Sequence, residues 1–175
     1  TEPVSHDPLA LPGMAAAVQR LAEALYRGEK VAVFGDFDVD GVTATAILAR
    51  ALKPLGCAII PYIPHREEGH GLTLGAVRTL AGWGVDLIVT VDCGVTSYDE
   101  IAAAAELGMD TIVTDHHLVP EGPPPACAVV DPRLPDSHYP FPDLTGAGLA
   151  WKLAQALYQS LGRQEADWQR PLLSL

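Results

Sequence analysis

Three short apolar runs, each ending in acidic residues, constrain this chain more than any other feature of its sequence. The runs begin at Val31, Leu87 and Thr111 and are rich in β-branched residues. Such runs are typical of buried strands in a parallel sheet, and open α/β sheets build their sites at the carboxyl ends of the strands. We therefore predict one cleft that holds all three acidic clusters. Its members are Asp36, Asp38, Asp40, Asp92, Asp115, His116 and His117.

Segments before, between and after these runs have the apolar spacing of helices. Helices are predicted at Met14–Arg27, Val42–Leu55, Thr73–Ala81, Tyr98–Leu107 and Gly146–Leu161. Strands are predicted at Lys30–Phe34, Cys57–Ile63, Asp86–Val91, Asp110–Thr114 and Ala126–Val130. Ser97 and Glu100 have the spacing of a capping box before the fourth helix. Because short strands alternate with helices of about ten to fifteen residues, the predicted fold class is α/β, a parallel β-sheet of about five strands flanked by helices.

The predicted cleft would hold many like charges. Five carboxylates placed together repel one another unless divalent cations lie between them, and carboxylate with imidazole is a usual donor set for manganese-like ions. An acidic helix cap is an alternative for the first cluster, and Asp92 alone would also fit a solvated strand end. A calcium-binding EF-hand does not fit, because the later positions of its loop fail here. We predict a metal site at the carboxyl ends of the strands.

Composition and charge limit the remaining classes. A chain of 175 residues with 49% apolar and 19% charged residues is typical of a folded domain. No apolar stretch has the length of a membrane span and no signal peptide is recognisable, so we expect a cytoplasmic protein without a membrane partner. The net charge of -11 argues against a strong grip on long nucleic acid by this chain alone. Cys57, Cys93 and Cys127 are expected to be buried, reduced thiols.

The same clusters resemble a known family. The sequence Gly-Asp-Phe-Asp-Val-Asp-Gly-Val-Thr from Gly35, Val-Asp-Cys-Gly from Val91 and Thr-Asp-His-His from Thr114 resemble the first three motifs of the DHH phosphoesterase superfamily. Within it, residues 96–101 and 146–153 are similar to the RecJ-type family of bacterial single-strand-specific 5′-to-3′ exonucleases. The resemblance covers the chain from about residue 28 to residue 161.

The resemblance implies a set of metal ligands. Asp38 would bind one ion, Asp40 the other, and Asp92 would bridge both, with His116 as a further ligand. The implied cofactor is a pair of Mn²⁺ or Mg²⁺ ions. Two ions about 3.5 to 4 Å apart lower the pKa of a shared water and stabilise charge on the attacking and leaving oxygens.

The resemblance also implies catalytic and substrate-binding residues. His117 would face the scissile phosphate and stabilise its developing charge. Asp36 would support the site near the ions, and Asp115 would orient a histidine. Arg66 and His70 lie in the loop 64–72 and are candidates for contact with the DNA backbone or its 5′ end, although a solvated polar loop fits them equally well.

The resemblance leaves one motif unmatched. The family has a fourth motif with another Asp ligand, for which Asp131 and Asp143 are candidates by position only. We therefore expect a fragment that is weakly active or inactive alone, without the family's C-terminal substrate-binding domain. The expected division is an N-terminal extension and helix at 1–28, the incomplete DHH domain at 29–162 and the start of a further segment at 163–175.

The resulting hypothesis is a metal-dependent, single-stranded-DNA-specific 5′-to-3′ exonuclease of DNA repair and recombination. Its expected partners are single-stranded DNA and a single-strand-binding protein or helicase. One alternative is a DHH phosphodiesterase for short oligonucleotides or cyclic dinucleotides. A haloacid-dehalogenase-type phosphatase would use Asp36 as a nucleophile, but that class has no Asp-His-His motif. An inactive DNA- or replisome-binding scaffold would be expected to lose metal ligands, and this chain keeps those of the first three motifs.

Overall fold

A computed structural model of the chain describes residues 6–119, 122–164 and 167. Within these residues it contains five α-helices and five β-strands. The helices are α1 (Met14–Arg27), α2 (Val39–Leu52), α3 (Leu74–Gly82), α4 (Tyr98–Glu106) and α5 (Gly146–Ser160). The strands are β1 (Lys30–Gly35), β2 (Ala58–Tyr62), β3 (Leu87–Val91), β4 (Asp110–Thr114) and β5 (Ala128–Val130).

All five strands form one parallel sheet in the order β2-β1-β3-β4-β5. The predicted α/β fold class is therefore confirmed. The three strands that end in acidic clusters are neighbours, and their last residues are in register. Gly35 pairs with Val91, and Val91 pairs with Thr114. The acidic residues that follow these positions consequently leave the sheet at one edge, which we call the carboxyl edge.

Helices cover both faces of the sheet, because successive strand residues point to opposite faces. Val31 and Val33 pack into the cluster formed with α1, α2 and α5, whereas Ala32 and Phe34 pack into the cluster formed with α3 and α4. Every residue of β3 is buried, as expected for a central strand with both faces covered. Helix α1 packs in the same core as α2 and α5, and the division of the chain at residue 28 stays a prediction.

Several local predictions are wrong in detail. Helix α2 begins at Val39, within the acidic cluster and not after it, because the Asp38 carboxylate accepts a hydrogen bond from Gly41 N–H (2.9 Å) and caps the helix. The capping box at Ser97 is absent. Its backbone (φ -90°, ψ 56°) lacks the extended conformation of such a cap, and its side chain makes no capping hydrogen bond. Of the three free cysteines only Cys93 is buried, since Cys57 is half-buried and Cys127 exposed.

Some predictions concern residues that are only partly described. The turn at 120–125 includes two residues outside the described ranges, and so does most of the segment 163–175. The loop 64–72 is described throughout and contains a short 3₁₀ turn at Arg66–Glu68. Among the helices that the structure describes, none combines the length and the apolar character needed to span a bilayer.

Candidate metal centre

Asp92 lies at the centre of the carboxyl edge. It follows β3, is 2% exposed, and has a left-handed backbone conformation with φ of 63°, which Asp tolerates better than most residues. Its backbone N–H donates to the Thr114 carbonyl at 3.0 Å. Burial, followed by the nearby charges of Asp40 and Asp38, raises the pKa of Asp92 to about 7. The charged form of this carboxylate therefore calls for a cation.

His116 is in direct contact with this carboxylate. Its Nε2 lies 3.0 Å from Asp92 Oδ1 and 3.8 Å from Asp40 Oδ2. Burial, together with the charge of the adjacent His117, lowers the pKa of His116. The imidazole is therefore favoured in its neutral form, which is the form that binds a metal ion.

His117 also contacts a buried carboxylate, but it is that of Asp115, whose pKa is lowered and not raised. Asp115 is 1% exposed, and its Oδ1 lies 2.6 Å from His117 Nδ1, while its Oδ2 accepts the backbone N–H of Val95 at 3.1 Å. Burial opposes ionisation of Asp115, but the hydrogen bonds from His117 and Val95 outweigh it and lower the pKa of the carboxylate. The same hydrogen bond raises the pKa of His117 to about 9 despite its partial burial.

The donor set at the carboxyl edge fits a divalent cation. One ligand atom each from Asp92, His116 and His117 can be chosen so that all lie within 4.8 Å of one another. A buried carboxylate with a raised pKa beside a neutral imidazole is an arrangement that a bound metal ion stabilises. His117 lies beside these two groups, but its raised pKa favours the protonated form, which has no lone pair for a metal ion.

The first acidic cluster lies at the start of α2, next to Asp92. Asp40 lies in the first turn of α2, and its carboxylate accepts the backbone N–H groups of Gly146 (2.7 Å) and Ala147 (2.8 Å) at the start of α5. Asp38 caps α2 and lies close enough to Asp92 for its charge to raise the pKa of that residue. The start of α5 therefore lies beside Asp40 at the metal site.

Gly146 packs against Asp92, a contact that sequence reasoning did not predict. A Cβ atom at this residue would lie 2.4 Å from the Cβ atom of Asp92, so only glycine allows the two segments to approach this closely. The only signal in the sequence was the Gly-Ala-Gly opening of residues 146–153, which carried a resemblance but no stated reason. The structure supplies that reason.

Asp36 and the loop 64–72 form the other side of the cleft. Asp36 is buried, and its Oδ2 lies 2.9 Å from His70 Nδ1. The Phe37 ring contacts the His70 ring with centroids 4.3 Å apart, and the Arg66 guanidinium lies 5.4 Å from the Phe37 centroid. The cleft has a volume of about 290 Å³. Its walls include Asp36, His70, Asp92, Thr96, Asp115 and His117.

The two positional candidates for a fourth acidic ligand, Asp131 and Asp143, have other contacts. Asp131 is fully buried after β5, and its Oδ1 accepts Arg133 N–H at 2.7 Å. The side chain of Asp143 is 77% exposed and pairs with the Arg133 guanidinium at 3.3 Å. Among the described residues, neither carboxylate belongs to the group formed by Asp92 and the two histidines.

The fold and donor set together define the class of α/β proteins with a candidate divalent-metal site at the carboxyl edge of a parallel sheet. The chain belongs to the DHH family, because the pattern of the DHH family, N-terminal domain, matches residues 30–175. This match covers all the metal-site residues described above.

The chain is similar to proteins named single-stranded-DNA-specific exonuclease RecJ. It is 41% identical over 163 residues to the Bacillus subtilis protein, covering 93% of this chain and 21% of that protein. It is 45% identical over 159 residues to the Thermus thermophilus protein, covering 88% of this chain and 23% of that protein. The chain thus spans about a fifth to a quarter of the length of these relatives.

Solved structures agree with this assignment. The chain is similar to a crystal structure of exonuclease RecJ bound to manganese, with 42% identity and a TM-score of 0.84, over 93% of this chain and 41% of that one. It is also similar to RecJ in complex with Mn²⁺ from Thermus thermophilus, with 40% identity and a TM-score of 0.75, over 88% of this chain and 22% of that one.

Proposed function

We propose that this chain is the DHH domain of a metal-dependent exonuclease that degrades single-stranded DNA from its 5′ end in DNA repair and recombination. The observation that carries the proposal is the contact between the buried carboxylate of Asp92 and the imidazole of His116 at the carboxyl edge, with His117 beside them. The names of the relatives support the substrate, since they are described as single-stranded-DNA-specific exonucleases.

Divalent manganese or magnesium is the proposed cofactor. Asp38, Asp40, Asp92 and His116 would hold two ions, and the contact between Asp92 and His116 supports this set. When bound, the ions would lower the pKa of a water molecule and stabilise the charge that develops on the phosphate oxygens. Support comes from similar RecJ structures, which hold manganese.

The protein's own residues divide the remaining work. His117 stays protonated at neutral pH through its hydrogen bond with Asp115 and can donate to a phosphate oxygen. Asp115 orients His117, and Asp36 orients His70 through their 2.9 Å contact. His70 and Arg66 stand at the rim, where they would contact the DNA backbone.

Three further expectations belong to the proposal. The protein would act in the cytoplasm, and its partners would include single-stranded DNA and a single-strand-binding protein or helicase. The domain boundaries at residues 28 and 162 are part of the same expectation. The activity of the whole protein is part of the same proposal, because the chain spans about a fifth to a quarter of the length of these relatives.

The test follows the product lengths of a long 3′-labelled single-stranded DNA incubated with the full-length protein and Mn²⁺. We expect a ladder that shortens from the 5′ end, with no product from duplex DNA or after chelation of the metal. Cleavage of dinucleotides with the long DNA left intact would assign the protein to the small-substrate phosphodiesterases. Inertness toward both substrates would favour a scaffold.

A further inference from the structure

An arginine that the sequence pattern did not single out stands beside the metal centre. Strand β5 pairs with β4 through Val130 and Thr114, and the Asp115 backbone N–H donates to the Val130 carbonyl at 3.1 Å. Residues 131–133 consequently leave the sheet next to residues 115–117. Arg133 is thereby located at the carboxyl edge, on the side opposite Arg66.

The backbone of Arg133 is held by a buried carboxylate. Asp131 is 0% exposed, and its Oδ1 accepts the Arg133 N–H at 2.7 Å in an Asx turn. Among the described residues, the other carboxylate oxygen of Asp131 has no hydrogen-bond partner. The hydrogen bond to this fully buried side chain fixes the conformation of the turn. The Arg133 side chain therefore starts from a fixed point.

The guanidinium itself is only loosely held. Its contact with Asp143 measures 3.3 Å, and the two side chains are 36% and 77% exposed. Exposed ion pairs of this kind contribute little to stability. The positive charge of Arg133 also acts on the metal centre, because it contributes to lowering the pKa of His116. Arg133 is thus a cation near the site with a partner that a stronger anion can replace.

We propose that Arg133 binds a phosphate of the DNA strand and that Asp143 is a competing partner which the strand displaces. The proposal rests on the function proposed above. A guanidinium presents paired donors that match two phosphate oxygens better than one distant carboxylate oxygen does. In a chain with a net charge of -11, the cations at this rim are the main means of attracting a polyanion.

The position of Arg133 also suggests a path for single-stranded DNA across the cleft. Arg66 follows β2 and Arg133 follows β5, and these are the two outer strands of the sheet. Four strand spacings of about 4.8 Å place the ends of these strands about 19 Å apart. Single-stranded DNA that crosses the metal centre would therefore contact one arginine on each side.

The test compares Arg133→Ala, Arg133→Lys and Asp143→Asn in the full-length protein. Binding of labelled oligo-dT is measured by fluorescence anisotropy with EDTA present, which separates it from hydrolysis, and KM is measured with Mn²⁺. We expect Arg133→Ala to raise Kd and KM about fivefold to tenfold and to reduce the salt dependence of log Kd by about 0.7, the value for one phosphate contact on a single strand. Arg133→Lys should retain most of the affinity.

The decisive result is the sign of the Asp143→Asn effect. If Asp143 competes with the phosphate, its neutralisation frees Arg133 and lowers Kd about twofold to threefold. If the pair only stabilises the loop, Asp143→Asn and Arg133→Ala would both shift the melting temperature and leave Kd unchanged, which would overturn the proposal. Arg27→Ala and Glu23→Gln are matched controls, since this exposed pair (2.6 Å) lies on α1. Neither should change Kd.

Two further outcomes distinguish this proposal from the proposed function. If Kd rises in Arg133→Ala and falls in Asp143→Asn but the protein does not hydrolyse DNA, the Arg133 site is supported and the exonuclease assignment is not. A loss of affinity that differs between oligo-dT and oligo-dA would show contact with bases in place of phosphate, and would overturn the site as described.

Discussion

The ends of β3 and β4 are neighbours in the sheet, and each carries one buried carboxylate, but the two carboxylates have opposite surroundings. At the end of β3, burial and two nearby acidic residues raise the pKa of Asp92 to about 7. At the end of β4, hydrogen bonds from His117 and the Val95 backbone lower the pKa of Asp115 despite its burial. At the end of β4 the protonated His117 therefore balances the charge of Asp115. At the end of β3 a bound metal ion would balance the charge of Asp92.

This difference assigns the two acids to different tasks. Asp115 is satisfied by protein groups on both of its oxygens, so it serves to orient His117. Asp92 contacts a histidine whose pKa is lowered, so the neutral imidazole provides no charge to balance it. A metal ion would supply that charge. The comparison yields four predictions, beginning with the largest expected effect.

Asp92→Asn should strongly reduce the hydrolysis of single-stranded DNA. The amide keeps the size of the side chain but removes the charge that attracts the ions, which are expected to supply several kcal/mol of transition-state stabilisation, so the rate with Mn²⁺ should fall roughly a thousandfold. The control is Asp99→Asn, an exposed carboxylate in the first turn of α4. A variant at Asp92 that degrades DNA at the normal rate would refute the two-metal hypothesis.

Asp115→Asn should cost less, because it removes an orienting group and not a ligand. Loss of such a partner typically reduces metal affinity or activity by about 10-fold to 100-fold. The pKa of His117 should fall from about 9 toward its usual value, since its hydrogen bond with the carboxylate is the main cause of the rise. NMR titration of the imidazole measures this directly. An unchanged pKa would show that Asp115 does not control His117.

The same comparison shows how much of the site was predictable. The three strand ends and their parallel neighbours were predicted correctly, because β-branched runs and the residues after them are local signals. The start of α2 was predicted three residues too late, because the sequence does not show whether the residues after Asp38 are extended or already helical. The contacts of Asp40 with Gly146 and Ala147 join residues 106 and 107 positions apart. No local pattern predicts such contacts.

Gly146→Ala tests one of these distant contacts. A methyl group there would meet the Asp92 Cβ atom at 2.4 Å, so the start of α5 or the end of β3 must move. We expect a destabilisation of about 1–3 kcal/mol, as for other overpacked sites, and reduced activity. Gly148→Ala is the matched control in the same helical turn, because its nearest neighbour is the flexible end of the Leu144 side chain at 3.2 Å. Thermal melts of both variants should differ clearly, and equal melting temperatures would contradict the close contact.

The smallest effect is the pH dependence of stability without metal. A carboxyl with a raised folded-state pKa favours folding while it is protonated, so the contribution of Asp92 is present near pH 4 and is lost as pH rises toward 7. The raised pKa of His117 stabilises the fold below about pH 6.5, and this contribution is lost as pH rises through 9. The melting temperature should therefore fall by a few degrees in two successive steps.

The contributions of the two strand ends to this pH dependence can be tested separately. Asp92→Asn should reduce the step between pH 4 and 7 and confine the rest to below about pH 6, where Asp131 also contributes. His117→Gln should remove the step between pH 6.5 and 9. Saturating Mn²⁺ should also reduce the lower step, because a bound cation favours the charged carboxylate of Asp92. Differential scanning calorimetry across this range measures all three effects. A lower step that is unchanged in Asp92→Asn would mean that Asp92 does not contribute to it, and Asp131, whose pKa burial raises to about 6, would then be the residue to replace.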